Sequence, residues 1–429
     1  WWLSGLASAH IPVFIYTGPD QDWCGAYASA LQGDIVLLEP GDYTGPCDLT
    51  GKEPDPAYPS EFTQLAARDL NYRPRFHSDG MSPYILSMTG EQAQVAYLDF
   101  PDVPAGVTAI EVRDTRLFWL LDLTFSGVAG TAVQTFGTAD NFRIEQLAVH
   151  GVGGTGFALG CPGCATTSLV VHDVLLQGLT TGIQVDGDGS LAEIISDGGT
   201  ALDLTGDLLV EESAVRGDIV LRSPVTLQSN IVVGTLTAAA GASGAKLYGN
   251  TLYRAEGSPL VLDDWGAGSV LQNNAISDAI PTEVGASGNV ACTADECWRN
   301  AAISDFYPRG SGHLPDGSVP PDPGTQFADW CGYARQSPVT VGALELLGEP
   351  IAPIRFDVPK TFGSCSAVAE TTDTGTPATE GPGDTASSDP EVPPGSKGCG
   401  CTADPGPASV SGVFAAFLVF GWRIRGRPR

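Results

Sequence analysis

The chain has 429 residues, 42% of them hydrophobic, with 54 Gly, 32 Pro and a formal net charge of −29. That length admits two average domains or one long repeat domain with appendages, and the apolar fraction suffices for a sizeable core. Fifty acids against 21 bases leave no basic footprint, so nucleic acid is excluded as a partner and the charge reads as a solvated surface.

Trp1 to Ala9 reads as the end of a secretory h-region, with Ala7-Ser8-Ala9 as an A-x-A cleavage site. Residues 10–105 are expected to form an N-terminal cap and the first coils of the body. Within them GDIVLLEPGDYTG (33–45) is a strand stopped by Pro40-Gly41-Asp42, and YILSMTG (84–90) is a further strand. TAIEV (108–112) and LFWLLDLTF (117–125) continue the series.

From residue 130 one phrase keeps returning: GTAVQT at 130, GTGFAL at 154, TTGIQV at 180 and GTALDL at 199. The interval is 19 to 26 residues. Second strands lie between the phrases, among them RIEQLAV (143–149), SLVVHDV (168–174), DLLVEES (207–213) and DIVLRS (218–223). Residues 106–290 contain no convincing amphipathic helix, so the period predicts an all-β solenoid. Each repeat is long enough for one circuit of a three-sided parallel coil, with backbone pairing from coil to coil at roughly 4.8 Å per rung. Val133 and Thr135, Phe157 and Leu159, Ile183 and Val185, and Leu202 and Leu204 are then expected to point inward and stack. A second ladder is predicted at Asn230, Asn250 and Asn274, because Asn accepts the left-handed turn conformation and can bond to an Asn above it. The central coils amount to about eight rungs.

Several residues in these coils could carry chemistry. His150 and His172 stand 22 residues apart, which on the repeat reading places them on adjacent rungs, with Asp173 alongside. They could hold a metal, but a metal needs three or four convergent ligands, and the pair reads better as a polar stack. Calcium held between carboxylates lacks a ligand motif, and no other cofactor is indicated. Asp186 with Asp188, and Asp263 with Asp264, are paired acids of the kind a glycosidase uses, yet adjacent strand residues point to opposite faces.

Eight cysteines fall in sequence-adjacent pairs: Cys24 and Cys47, Cys161 and Cys164, Cys292 and Cys297, Cys331 and Cys365. In an exported chain they read as disulfides, with CPGC (161–164) a loop staple rather than a redox or metal pair. Residues 369–398 are rich in Thr, Pro, Gly and acids and cannot bury enough surface to fold, so they read as a disordered stalk. GCGC (398–401) follows, then an apolar run from Ala408 to Trp422. Arg423, Arg425, Arg427 and Arg429 close the chain. A linker on one side and arginines on the other make this run a short membrane helix rather than a core helix.

GDIVLLEPGDYTG, together with DFYPRGSG (305–312) and DWCGYARQSPVTVGALEL (329–346), resembles the opening and closing segments of right-handed parallel β-helix repeat proteins of bacterial surfaces. The resemblance spans roughly residues 24–347 and implies an all-β, right-handed parallel β-helix with capped ends, residues 291–368 forming the C-terminal cap. That fold carries lyases, hydrolases, adhesins and scaffolds alike. The pectin hydrolases of the fold carry N-T-D, D-D, G-H-G and R-I-K in order. Asp263-Asp264 has none of the other three, so the hydrolase reading fails. A lyase of the fold needs a base near groups that neutralise the substrate carboxylate, and KLYGNTLYR offers Lys246, Tyr253 and Arg254. The C-terminus, residues 399–429, resembles the MYXO-CTERM sorting signal. It implies a membrane protease that removes the tail and a lipid anchor on Cys399 or Cys401; one more disulfide between these two is the alternative. The expected protein is exported, anchored at the cell surface or outer membrane through its C-terminus, and non-catalytic. It would serve as a scaffold, adhesin or polysaccharide-contacting module, with an anchored polysaccharide lyase as the alternative.

Overall fold

The computed structural model describes residues 11–53, 61–161, 164–280, 286–309, 316–317, 328–333, 335, 339–344 and 352–360. Residues 1–10 and 361–429 lie outside them, and with them the expected signal remnant, Cys365, the linker, Cys399, Cys401 and the four terminal arginines.

The repeated phrases stack as their spacing demands. Val133 pairs with Phe157, Phe157 with Ile183 and Ile183 with Leu202, every step parallel. The column extends back through Ile110 and Leu86 to Cys47 and on through Ile219 and Leu236 to Leu260. This is the first face of a three-sided coil. The second face carries an interior column from Ile15 through Val36, Leu65, Val95, Leu120, Ile144 and Val171 to Leu271. The rungs therefore begin well before residue 106. The third face runs from Tyr43 and Phe76 by way of Phe100, Phe125, Val149 and Leu176 to Leu252 and Ile276. All 28 strands of the main sheet share one ladder, and its pairs are parallel. The chain is thus a parallel β-helix.

Its interior is one cluster of fully buried side chains. Burying each Leu, Ile, Val or Phe contributes about 1.5–3 kcal/mol, and stacking equivalent residues lets every coil offer the next one the same shape. At the N-terminal end the stack becomes aromatic, with Tyr43 stacked on Phe76 (5.2 Å) and Phe100 on Phe125 (4.8 Å). The helix Trp23–Ser29, which was not among the expected elements, sets Trp23 edge-on to both Tyr43 and Phe76. The Cys24–Cys47 disulfide ties this helix to the first rung.

The turn from second to third face is the same on successive rungs. One residue adopts positive φ: Tyr97, Asp122, Gln146, Asp173, Glu193, Glu212 and Ser229 in turn, then Gly249 and Asn273. The residue after it faces inward. In the first half of the rod it is apolar (Leu98, Leu123, Leu147, Val174, Ile194), and in the second half it is polar. There Asn274 Oδ1 accepts from the Asn250 amide (2.8 Å) and side chain (2.9 Å), and Asn250 Oδ1 accepts from those of Asn230 (2.9 and 3.1 Å). Asn289 extends the predicted ladder below and Ser213 above.

The described residues of the closing segment lie along the outer side of the third face. Trp298, Phe306, Trp330, Ala343, Ile354 and Phe356 form a second core with Leu175, Ile195, Ala214 and Ile231, which point outward from that face. Trp298–Asn300 and Asp305–Pro308 pair antiparallel. The Arg335 guanidinium reaches into the turn column, donating to Ser229 Oγ (3.1 Å) and to the carbonyls of Gly249 (3.2 Å) and Gly342 (2.7 Å). Where this segment crosses the turns, the positive-φ residues are small. Residues 352–360 form a strap at the margin of this covering.

Candidate functional site: a polar strip and an acidic edge

Two surfaces carry chemistry. The first is the outer side of the first face. Thr108, Thr131, Thr155, Thr181 and Thr200 align in register, and beside them runs a column of Glu111, Gln134, Ala158, Gln184 and Asp203. From Thr131 to Thr200 and from Gln134 to Asp203 these side chains are partly or fully exposed. Rungs roughly 4.8 Å apart turn them into a flat lattice of hydroxyl and amide groups, each able to donate and to accept. Its charges are paired locally. Arg113 bonds Glu111 and lies 4.6 Å over the Phe136 ring, Arg222 grips Asp203 through two bonds (2.7 and 3.0 Å), and Tyr84 donates to Asp48 (2.8 Å). The bond to Glu111 holds the Arg113 pKa above its ordinary value, and the bond to Asp48 does the same for the Tyr84 phenol.

The second surface is the edge between second and third faces. Because the positive-φ residues repeat at one position, their side chains form a row in which Asp122, Asp173, Glu193 and Glu212 bring four carboxyls to one edge. Arg73 joins Asp122 (2.9 Å) and Asp99 (3.8 Å). His172 Nε2 meets Glu193 at 3.0 Å, and Lys360 of the strap bridges Glu193 (3.2 Å) and Glu212 (2.8 Å). The shared hydrogen bond pulls the Glu193 carboxyl down to about 2 and raises the His172 imidazole. Burial pushes Asp99, Asp173 and Glu212 above the usual carboxylate range. One row thus holds carboxylates displaced in opposite directions.

The residues singled out in the sequence are placed as follows. His150 and His172 do not stack. His150 pairs with Gln177 on the third face, 27 residues on, whereas His172 pairs with Glu145 and Ala192 on the second. The loop closed by the Cys161–Cys164 disulfide lengthens that coil, so a spacing of 22 residues is not one circuit. His150 Nδ1 instead contacts Gln177 Oε1 (2.8 Å), while Asp173 sits in the turn beside His172. Among the described residues, no group of three or more His, Cys, Asp or Glu could hold a metal.

Lys246 lies on the outer second face, paired with Thr226 and Val270. Tyr253 lies on the third, edge-on to Trp298 (5.8 Å) and 5.5 Å from Phe306 under the closing segment. Arg254 follows it at the corner and donates to the Ser258 carbonyl (3.4 Å). The strand KLY and the strand TLY belong to different sides of the coil, so the three do not converge. Asp188 accepts from the Asp207 amide (2.8 Å) and Asp264 from the Gly241 amide (2.7 Å), so each fastens one turn to its neighbour. The Cys292–Cys297 disulfide is also present, and Cys331 is disulfide-bonded. The sequence reading missed Glu193, Glu212 and Lys360. Glu193 and Glu212 hold one turn position on consecutive rungs, and that shared offset was the available signal.

No protein-family model matches this chain, and no curated protein is similar to it. Among solved structures it is similar to an alginate lyase from Paenibacillus sp. str. FPU-7, at 14% identity and a TM-score of 0.48, covering 59% of this chain and 98% of that one. It is also similar to pectate lyase Pel9A, at 14% identity and a TM-score of 0.46, covering 78% of this chain and 97% of that one.

Proposed function

We propose that this chain is an exported, surface-anchored, non-catalytic β-helix module that contacts carbohydrate along the outer side of its first face. The observation that carries this reading is the in-register lattice of Thr131, Thr155, Thr181 and Thr200 beside Gln134, Gln184 and Asp203. A polysaccharide presents hydroxyl groups at a regular repeat, and a surface of side chains that both donate and accept suits it. The net charge of −29 favours a neutral glycan, since an anionic one would be repelled. Paired charges on this face leave Arg113 and Arg222 engaged with Glu111 and Asp203. The disulfides support an oxidising compartment.

The test is retention on immobilised neutral glycans against uronate polymers, with the triple variant Thr155→Ala, Thr181→Ala, Gln184→Ala as control. Retention on a neutral glycan, lost in the variant, is expected. Equal retention of both proteins would refute the site. Release of unsaturated uronate ends by the wild-type chain would show the polysaccharide lyase instead.

A further inference from the structure

Glu193 and Glu212 occupy the same turn position on consecutive rungs, each with φ near that of the left-handed region (55° and 52°). Their carboxyl groups consequently stand one rung apart, roughly 4.8 Å. Lys360 brings its amine between them, 2.8 Å from Glu212 Oε2 and 3.2 Å from Glu193 Oε1. The Lys360 side chain is only 6% exposed, and its amine lies 5.3 Å over the Trp330 ring. A buried amine beside an aromatic wall therefore meets two partly exposed carboxyls, Glu193 (26%) and Glu212 (21%), at the margin of the strap. Burying the Lys360 ammonium carries a desolvation cost that a salt bridge at the surface would avoid.

We propose that Lys360 and Glu212 become joined by a covalent amide, with Glu193 carrying the proton. The two carboxyls are suited to different roles because their environments push them apart. Across their 2.8 Å contact the Lys360 ammonium passes one proton to the Glu212 carboxylate, leaving an amine beside a carboxylic acid. Burial raises the Glu212 carboxyl, which favours that transfer, while Glu193, lowered by its bond to His172, stays ionised. The freed lone pair on Nζ attacks Cδ of Glu212, an N–C bond forms, and a C–O bond breaks. The Glu193 carboxylate takes the proton released from nitrogen and hands it to the departing hydroxyl, which leaves as water, so no proton is gained or lost overall. The charges of the ammonium and of one carboxylate are consumed together, no electron is transferred, and no co-reactant is needed. Condensation is unfavourable between separate molecules in water. Groups fixed at reacting distance gain effective molarities on the order of 10⁵–10⁸ M, and the buried position of the lysine amine limits the access of water to the new bond. The bond would fix residues 352–360 to the rod and close the chain between 212 and 360 into a ring.

Mass spectrometry of the full chain tests this, after reduction and alkylation of the cysteines. The expected mass is one water below that of the sequence, with a branched peptide joining the segments that contain Glu212 and Lys360. Lys360→Arg keeps a cation at the site and should keep the full mass. Glu193→Gln should also keep the full mass while unfolding as cooperatively as wild type. Linear peptides for both segments in the wild-type chain would overturn the bond. A water still missing from Lys360→Arg would place the dehydration elsewhere and overturn it equally. Cross-linking of Glu193→Gln at the wild-type rate would remove Glu193 from the chemistry.

Discussion

Replacing Asn250 by Leu tests the ladder that aligns the second half of the rod. Asn250 is fully buried. Its Oδ1 accepts from the Asn230 backbone amide at 2.9 Å, and its Nδ2 donates to the Leu227 carbonyl at 3.0 Å and to Asn274 Oδ1 at 2.9 Å. Leucine is close to asparagine in size and already fills this column at Leu98, Leu123 and Leu147, so crowding is a minor part of the cost. What is lost is partners. Asn274 Oδ1 keeps the Asn250 amide and Asn230 Nδ2 keeps the Val210 carbonyl, but the Asn230 N–H and the Leu227 carbonyl lose these bonds. A buried polar group left without a partner costs about 1–3 kcal/mol, so two of them predict about 2–6 kcal/mol. Urea unfolding should show a lower midpoint with an unchanged slope, and amide exchange should accelerate first at Asn230. The double variant with Asn230→Leu should cost less than the sum of the singles, because both remove the same bonds. A loss under about 1 kcal/mol, or strict additivity, would refute the account of the ladder as coupled hydrogen bonds.

Two further outcomes follow from the turns. Glu193 has its carboxyl held down to about 2 by His172, so its stabilising contribution is present above its unfolded value near 4.5 and is lost as pH falls through 2. The melting temperature of wild type should drop across that interval while Glu193→Gln stays flatter, and parallel curves would contradict the pairing. Gly206 has φ +116° and a side chain there would lie 1.7 Å from the Gly187 carbonyl of the preceding coil, whereas Gly80, at φ +73°, has open space around it. Gly206→Ala should cost about 2–4 kcal/mol in urea unfolding and Gly80→Ala about 1–2 kcal/mol, the backbone strain alone. Equal costs would show that contact between coils is not what makes Gly206 necessary.

The first face was legible because its inward residues alternate and return at a nearly fixed interval, and the asparagine ladder because Asn both donates and accepts, although the left-handed turn residue is the one before each, at Ser229, Gly249 and Asn273. Coil length was less legible. The insertion at Cys161–Cys164 lies outside the strands, so it moves His172 to another face without disturbing Phe157 or Ile183. The strap was hidden for a different reason. Leu175-Leu176, Ile194-Ile195, Ala214-Val215 and Ile231-Val232 are adjacent buried residues on strands otherwise expected to alternate. A strand covered on both sides loses its alternation, and that doubling was the signal to read. The site at Lys360 needs both facts at once: equal turn positions on two rungs, and a segment remote in sequence laid over them.

The same rule bears on the open surfaces. On the third face the outward column is Asp42, Arg75, Asp99 and Thr124, then Ala148, Leu175, Ile195, Ala214 and Ile231. Its polarity changes where the closing segment begins to cover it, so outward composition tracks what lies against each rung. The outward column of the first face stays polar from Asp48 through Glu111, Gln134 and Gln184 to Asp203, interrupted by the small residues Ser87 and Ala158, and only past this stretch does it continue as Val220, Thr237 and Val261. A protein partner bound permanently there would be expected to leave an apolar stripe like that under Phe356, because stable burial needs one. Five rungs of threonine, glutamine and acid instead fit a partner that keeps its own hydroxyl groups and its water while it binds.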